Sequence, residues 1–382
     1  MASGSLSGLI PTLYEALDIV SREQVGFIPS VAINANASRA AKGQTVRVPI
    51  VGAASTTDIS AAAYASDTTS ETPSYADISI SKSKSAKVNW TGEEQRGYGS
   101  NGTLGATLAQ QFAQAMRALT NEVEADIAAT YVSASRAYGD AGTAPFGSTL
   151  GAAAQLGKIL SDNGAPLMDR SLVINSSAGV NLRSLANLTQ ADAAGTDATL
   201  RGGILLPLSG FNVRESGQIA SHTKGTMTGA DTTAVEPVGE TTIAYDGGGG
   251  ATLTILPGDI MGISDDDNLY VVKTGATGVA SSFVIADPGL LVATTADKVL
   301  TTGANYAANM AFHKNAIQLV TRMPAMPEGG DMADDIVEIF DPVSGLGFQV
   351  ALYRQYHQVH YEIGISWGVK MIKPEHCALL LG

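Results

Sequence analysis

The spacing of apolar residues divides the chain into stretches of different period. Leu13, Leu17 and Val20 share one helical face, and Gly26 with Pro29 closes that segment. Asn34 to Gly43 reads as a turn-rich connector. Val46, Val48 and Ile50 then alternate around Pro49, the mark of an edge strand. Residues 52–75 hold Ala, Ser, Thr and Asp with almost no bulky apolar groups. From Asp77 to Trp90 the alternation predicts a returning strand. Ile78, Ile80, Lys82 and Lys84 share one face, and Ser79, Ser81, Ser83 and Ser85 the other. Neither face supports a core, and a lone hairpin is marginal in water. The hairpin is therefore expected to lie across a neighbouring subunit, with a solvated, flexible hairpin as the plainer alternative.

The strongest helical pattern covers 101–138. Leu104, Leu108, Phe112, Ala115, Leu119, Val123 and Ile127 recur every three or four residues, Asn101 or Thr103 offers a cap, and Gly139 is the stop. Such a helix of about 34 residues would span roughly 50 Å. Glu122, Glu124 and Asp126 spread around its axis and read as solvent or interface charges. Residues 148–220 alternate between helix (150–160, 178–188) and strand (171–175, 211–214), the signature of an α/β unit. From 219 to 309 helical periodicity disappears. Short apolar runs at 252–256, 259–263, 269–272, 282–285 and 290–293 predict a small barrel or sandwich inserted into that unit. Near the end, Val359, Tyr361, Ile363, Ile365, Trp367, Val369 and Met371 occupy seven successive alternate positions, a long half-buried strand.

Composition narrows the function more than the fold. With 382 residues, two or three domains are expected. Hydrophobic residues make up 45% and charged residues 15%; together with 42 glycines this suits strands, tight turns and arms that bury their surface in partners. A plain β-rich globular protein would have similar numbers. The net charge of −13 disfavours tight binding to nucleic acid, which needs clustered Lys and Arg against phosphates. No signal-peptide pattern and no apolar run near the ~20 residues of a membrane helix appears, so folding in a cytoplasm is expected.

Candidate chemistry is sparse. Cys377 is the single cysteine and offers neither a disulfide nor a thiolate metal set. His357 and His360, three apart in an expected strand, would point to opposite faces; His222, His313 and His376 are scattered. Asp265-Asp266-Asp267-Asn268 lacks the glycine and terminal glutamate of a calcium loop and reads as a turn. Gly247–Gly250 lacks the Lys-Ser/Thr and following helix of a phosphate loop and reads as a hairpin tip, and no nucleophile elbow occurs. No enzyme activity, metal or cofactor is expected.

One run is more specific. Asn309-Met310-Ala311-Phe312-His313-Lys314-Asn315-Ala316-Ile317, then Leu319-Val320-Thr321-Arg322 and Pro324/Pro327, resembles a segment of tailed-bacteriophage major capsid proteins. The branch it resembles is the podovirus coat proteins of the Hong Kong 97-type fold, which carry an inserted β-domain. Pro257-Gly258-Asp259-Ile260 is similar to a strand start in that insertion. Ala16-Leu17, Val25-Gly26-Phe27-Ile28 and Gly43-Gln44-Thr45-Val46 resemble the family's N-terminal arm. The matches fall in the expected order along the chain.

The resemblance implies an α+β subunit with an N-terminal arm (1–44), an extended hairpin loop (45–92) and a peripheral domain with a spine helix (93–147). An axial domain (148–218) and an inserted β-domain (219–309) follow, with 310–382 completing the peripheral and axial domains. It implies pentamers and hexamers of the chain in an icosahedral shell around double-stranded DNA, read without sequence specificity, in a virion assembled in a host cytoplasm. A separate scaffolding protein, a portal protein and an optional decoration protein are the implied partners. One branch cross-links its subunits through Lys and Asn; no catalytic acid is identifiable here and no cross-link is expected. Lys82, Lys84 and Lys87 are expected to pair with Glu122 or Asp126 of a neighbouring subunit. An encapsulin-like cellular nanocompartment is the alternative on the same fold, and a secreted β-rich adhesin or surface-layer protein a more distant one.

Overall fold

A computed structural model describes residues 6–21, 26–50, 74–100, 102–185, 207–247, 253–341 and 344–382. The helices are α1 (Ile10–Ser21), α2 (Gly92–Ser100), α3 (Leu104–Ala128), α4 (Gly151–Asp162) and α5 (Ser176–Ser184). The strands begin with β1 (Ala32–Ala40), β2 (Thr45–Ile50), β3 (Ser74–Ser79), β4 (Lys82–Thr91), β5 (Arg136–Tyr138), β6 (Arg170–Ile174) and β7 (Phe211–Glu215). The middle of the chain supplies β8 (Ser221–His222), β9 (Ala230–Thr232), β10 (Thr242–Gly247), β11 (Leu253–Ile255), β12 (Ile260–Ile263), β13 (Leu269–Thr274), β14 (Ala276–Gly278), β15 (Ala280–Ile285) and β16 (Val299–Thr302). The last part supplies β17 (Tyr306–His313), β18 (Ile317–Pro324), β19 (Asp335–Phe340), β20 (Gly347–Gln355), β21 (Gln358–Met371) and β22 (Cys377–Leu381).

The apolar stripe of α3 buries Leu108, Phe112, Met116, Leu119, Val123 and Ile127 against α1 and the first sheet. That sheet runs β1-β18-β21-β20-β19, with β4 paired to the outer stretch of β21. Ile363, Ile365 and Trp367 of β21 are wholly buried, as their alternation requires. A second sheet centres on β17 and β22. Their alternate residues feed two cores: Met310, Phe312, Leu379 and Leu381 join the α1–α3 core, whereas Ala311, Ala378 and Leu380 pack under α4 and α5. Strands buried on both faces read as continuous apolar runs, which is why Cys377–Leu381 shows no alternation.

The same sheet continues into a closed circuit. β12 pairs β16, then β9, β10, β15 and β13 follow, and β13 pairs back to β12. This six-stranded ring encloses its own core, including Tyr245, Met261, Tyr270, Val272, Phe283 and Leu300. It meets the rest of the molecule where β13 pairs β5.

Several expected elements differ. The long helix has 25 residues, about 37 Å, and ends at Ala128. A 3-10 turn at Ala129–Ser133 follows, and β5 is then drawn into pairing with β22 and β13. Thr103 precedes α3 but makes no side-chain cap, and Asn101 lies outside the described residues. The expected connector at 34–43 is mostly β1, lying parallel to β18; small polar residues there suit an edge. The expected strand from Asp77 to Trp90 is two strands. β3 pairs β2, then the Ser81 N–H bonds the Trp367 carbonyl and β4 takes β21 as partner. Ile78 and Ile80 are buried with Ala40 and Val320, so the base of the hairpin has a core within its own chain. The run at 290–293 is not a strand: Leu290 is buried, but its N–H bonds the Glu240 carbonyl and the next N–H bonds the Tyr270 hydroxyl. The helix expected at 178–188 spans Ser176–Ser184, capped by the Asn175 side chain at the Ala178 N–H. The polar stretch within 52–75 lies outside the described residues up to 73.

Candidate assembly surfaces and the polar joints that hold them

Even-numbered side chains of β4 point toward α3, because successive strand residues face opposite sides. Glu122 and Asp126, four apart, share one helical face. The Lys82 ammonium donates to Glu122 Oε1 at 3.0 Å and Asp126 Oδ1 at 2.7 Å, and Lys84 donates to Glu122 Oε1 at 2.5 Å. The indole N–H of Trp367 donates to the other Asp126 oxygen at 2.8 Å, and the Lys82 ammonium lies 5.9 Å from the indole ring centre. The hydrogen bond to Asp126 is the main cause raising the Lys82 pKa. Burial alone would push Glu122 up, but Lys84 and Lys82 hold it below the ordinary carboxylate value. The pairing expected between neighbouring subunits is thus made within one chain. Lys87, an odd position, lies on the opposite face, exposed, in register with Glu362.

Glu124 departs furthest from expectation. It is 1% exposed, not a solvent charge. Its Oε1 accepts the backbone N–H groups of Gly26 and Phe27, both at 2.6 Å, and the Ser216 hydroxyl at 3.1 Å; Oε2 accepts the Ile28 N–H at 2.9 Å. Burial raises its pKa, against the lowering effect of these donors. Gly26 is forced at this junction, since a Cβ there would sit 2.8 Å from Val173 and 2.9 Å from the Glu215 carbonyl. The position was readable: Glu124 falls between Thr120, Val123, Ile127 and Ala128 on the buried face of α3.

The ring is held by a second buried joint. Asp259 is fully buried and its carboxylate meets the His222 Nε2 at 2.7 Å and the N–H groups of Gly225 and Leu256. The other His222 nitrogen lies 2.9 Å from the Tyr131 hydroxyl, and the Tyr306 hydroxyl donates to the Gly258 carbonyl at 2.5 Å. Gly258 has φ +96° and its missing Cβ makes room for Tyr131 and His222. A third joint is Arg136, buried in β5, which donates to Asn268 at the β12–β13 turn and to Asn163 and the Ile159 carbonyl at the end of α4. The Pro257–Ile260 run marks Asp259 only as a strand start and nothing marks Arg136; the chain's tertiary path brings His222 to the first and Asn268 to the second.

The remaining candidates fall as follows. His357 occupies the tight turn between β20 and β21 with φ +54°, not a strand, while His360 is in β21 and bonds Asn89 across the pair. Asp265 and Asp266 form the turn between β12 and β13, where Asp266 accepts from the Asn268 N–H and the Tyr270 hydroxyl. Among the described residues no group of three or more His, Cys, Asp or Glu could hold a metal ion. Gly247 ends β10, and 248–250 lie outside the described residues. No described helix is long and apolar enough to cross a membrane.

No protein-family model matches the chain, and no curated protein does. Among solved structures, one from Mycobacterium phage Che8 is similar at 17% identity and TM-score 0.44, over 89% of this chain and 85% of that one. The capsid structure of cyanophage P-SCSP1u is similar at 14% identity and TM-score 0.46, over 94% and 88%. A virus-like particle from Pyrococcus furiosus is similar at 10% identity and TM-score 0.44, over 97% and 98%. Likenesses at this level carry no functional weight.

Proposed function

We propose that the chain is the major capsid protein of a tailed bacteriophage, with no catalysis of its own. It would self-assemble into pentamers and hexamers of an icosahedral head around DNA. The observation that carries this reading is the β2–β3 ribbon. Over its described length β2 and β3 pair only with each other. One face is covered within the chain through Ala76 and Ile78, with Val46 and Val48 half-buried beside them, while on the other face Tyr75 is 59% exposed and Arg47 pairs with Asp77 on the open surface. A two-stranded ribbon has little stability alone, so a partner surface that covers it stabilises its extended form. A neighbouring copy provides that surface in a closed, symmetric assembly. We read the six-stranded ring as the inserted β-domain at 219–309 and α3 as the spine helix. A scaffolding protein, a portal and an optional decoration protein complete the proposed partners.

The test is negative-stain microscopy of the expressed chain, alone and with a scaffolding protein. Icosahedral particles are expected, and Tyr75→Glu should abolish them while leaving a folded, soluble subunit. Amorphous or monomeric wild-type protein under all conditions, or normal shells from the variant, would count against the ribbon's role. DNA-free particles filled with an enzyme would favour the nanocompartment alternative.

A further inference from the structure

The chain holds two Asn-Gly pairs, Asn101-Gly102 and Asn163-Gly164. An asparagine followed by glycine is the kind most open to attack on its own carboxamide, because glycine has no side chain to shield its N–H. Asn101 lies outside the described residues. Asn163 sits directly after α4, half-buried, while Gly164 is exposed and a Cβ there would meet nothing within 4 Å. Water reaches this pair, so only the conformation and hydrogen bonds of Asn163 stand between it and reaction.

Those restraints come from three directions. The Asn163 ψ is 3°, which turns the Gly164 nitrogen toward the backbone nitrogen of Asn163 and away from its side chain. The Gly164 N–H is also engaged, donating to the Ser161 carbonyl at 3.0 Å. The Asn163 Nδ2 donates to the Glu375 carbonyl at 2.7 Å and to the Ser135 hydroxyl at 3.2 Å. Glu375 belongs to the segment leading into β22, and the Cys377 carbonyl of β22 accepts both the N–H and the hydroxyl of Ser135. Undocking that segment removes the shortest bond to the carboxamide and the acceptor that fixes Ser135. Arg136 stays: it donates to Asn163 Oδ1 at 2.9 Å, and its other acceptors, Asn268 and the Ile159 carbonyl, lie outside the C-terminal segment. Among the described residues it bonds no carboxylate, and its buried Nε has no partner.

We propose that Asn163 is a deamidation site that docking of the C-terminal strand keeps closed. With that segment undocked, the carboxamide is free to turn toward the Gly164 nitrogen. The nitrogen attacks the side-chain carbonyl carbon and the new C–N bond closes a five-membered imide. The bond to Nδ2 breaks, and Nδ2 leaves as ammonia with the proton given up by Gly164. Water then opens the imide at either carbonyl, giving aspartate or isoaspartate. The Arg136 guanidinium lies where negative charge develops on Oδ1 during the attack, which favours the step. Both products carry an acceptor oxygen in place of the donating Nδ2, so neither restores the bond to the Glu375 carbonyl. The reaction permanently marks a subunit whose body has stood open.

The experiment is peptide mass spectrometry of the full chain during incubation at mildly alkaline pH, following the conversion of each amide to acid. In guanidinium chloride both Asn-Gly pairs should react at similar rates. In native buffer Asn163 should react at least about ten-fold more slowly than in denaturant, as expected for a reaction limited by local opening. Leu380→Ala removes a fully buried side chain of β22 from the core under α4 without touching the joint, and should raise the native rate several-fold. Ile243→Ala, an equally buried loss inside the six-stranded ring, should leave that rate unchanged. Circular dichroism checks that both variants are folded; Leu380→Val and Ile243→Val replace any that are not. Equal rates in the native and denatured chain would overturn the proposal, as would no acceleration in the folded β22 variant or an equal acceleration in the ring variant. An Asn163 that stays intact in denaturant while Asn101 reacts would overturn it too.

Discussion

Glu122 and Glu124 are two residues apart on one helix and meet opposite fates. Glu122 stands on the rim of α3, its side chain 28% exposed, held by two flexible ammonium groups. Glu124 is inside, held by three consecutive backbone N–H groups and a hydroxyl. The first arrangement trades water for mobile cations and is screened by salt, so it contributes little. The second satisfies donors that have no other partner in a dry junction. The number of charges is a poor guide to the worth of a contact; what matters is what each group is left with when the other is removed.

The largest effect should come from Glu124→Ala, which leaves three buried N–H groups without an acceptor. A loss of about 4 kcal/mol is expected by denaturant unfolding, with faster amide exchange at Gly26–Ile28. Glu124→Gln keeps an acceptor oxygen and should cost less; an equal cost would show that charge, rather than acceptor geometry, dominates. Next is Asp259→Ala, which leaves the His222 Nε2 and the Gly225 and Leu256 N–H groups without their carboxylate partner. About 3 kcal/mol is expected, and exchange should rise first in the six-stranded ring. A uniform rise across the molecule would refute its role as a joint specific to the ring.

A smaller effect should follow from pH. Burial is the main cause holding His313 and His376 below the ordinary value of 6.5 in the folded chain. As the pH falls, the unfolded chain takes up protons first. Stability is therefore fully present above about pH 7 and declines as the pH drops through 6.5 toward the depressed folded values. Unfolding midpoints between pH 8 and 5 measure this, and His376→Gln should flatten the slope. The smallest effect is expected from Lys82→Ala, under about 1 kcal/mol, because the Lys82 side chain is a third exposed and Lys84 still covers Glu122. A loss as large as that of Glu124→Ala would erase the contrast between rim and interior.

The sequence was most legible where one partner controls a whole segment. Alternation over β21 marked a long strand, because one face packs on α3 throughout its middle. The period of α3 marked its buried stripe, but not its end, since β5 is pulled out of a helical pattern by strands far away in the chain. Continuous alternation hid the break between β3 and β4, because pairing partners can change without any change of period. Small polar residues in β1 read as a connector because an edge strand needs no apolar signature. Opposite charges on the hairpin and on α3 are legible as candidates for pairing, but not that Lys82 and Lys84 meet Glu122 and Asp126 within one chain, nor that Lys87 faces away. Glu124 could have been found by placing it on the helical stripe. Asp259 and Arg136 could not, since their partners are up to 132 residues away.

The position of β22 sets an order of events during synthesis. Residues 377–381 lie between β5 and β17, with Leu379 and Leu381 in one core and Ala378 and Leu380 in the other. Until that segment has left the ribosome, β5 and β17 have a gap between them and two cores each lack a wall. The six-stranded ring has no such dependence, because all its strands precede β17. A nascent chain should therefore hold a formed ring while the body remains open. Ribosome-stalled chains ending before and after residues 377–381 would separate the two steps, with protease resistance of the body appearing only in the longer one.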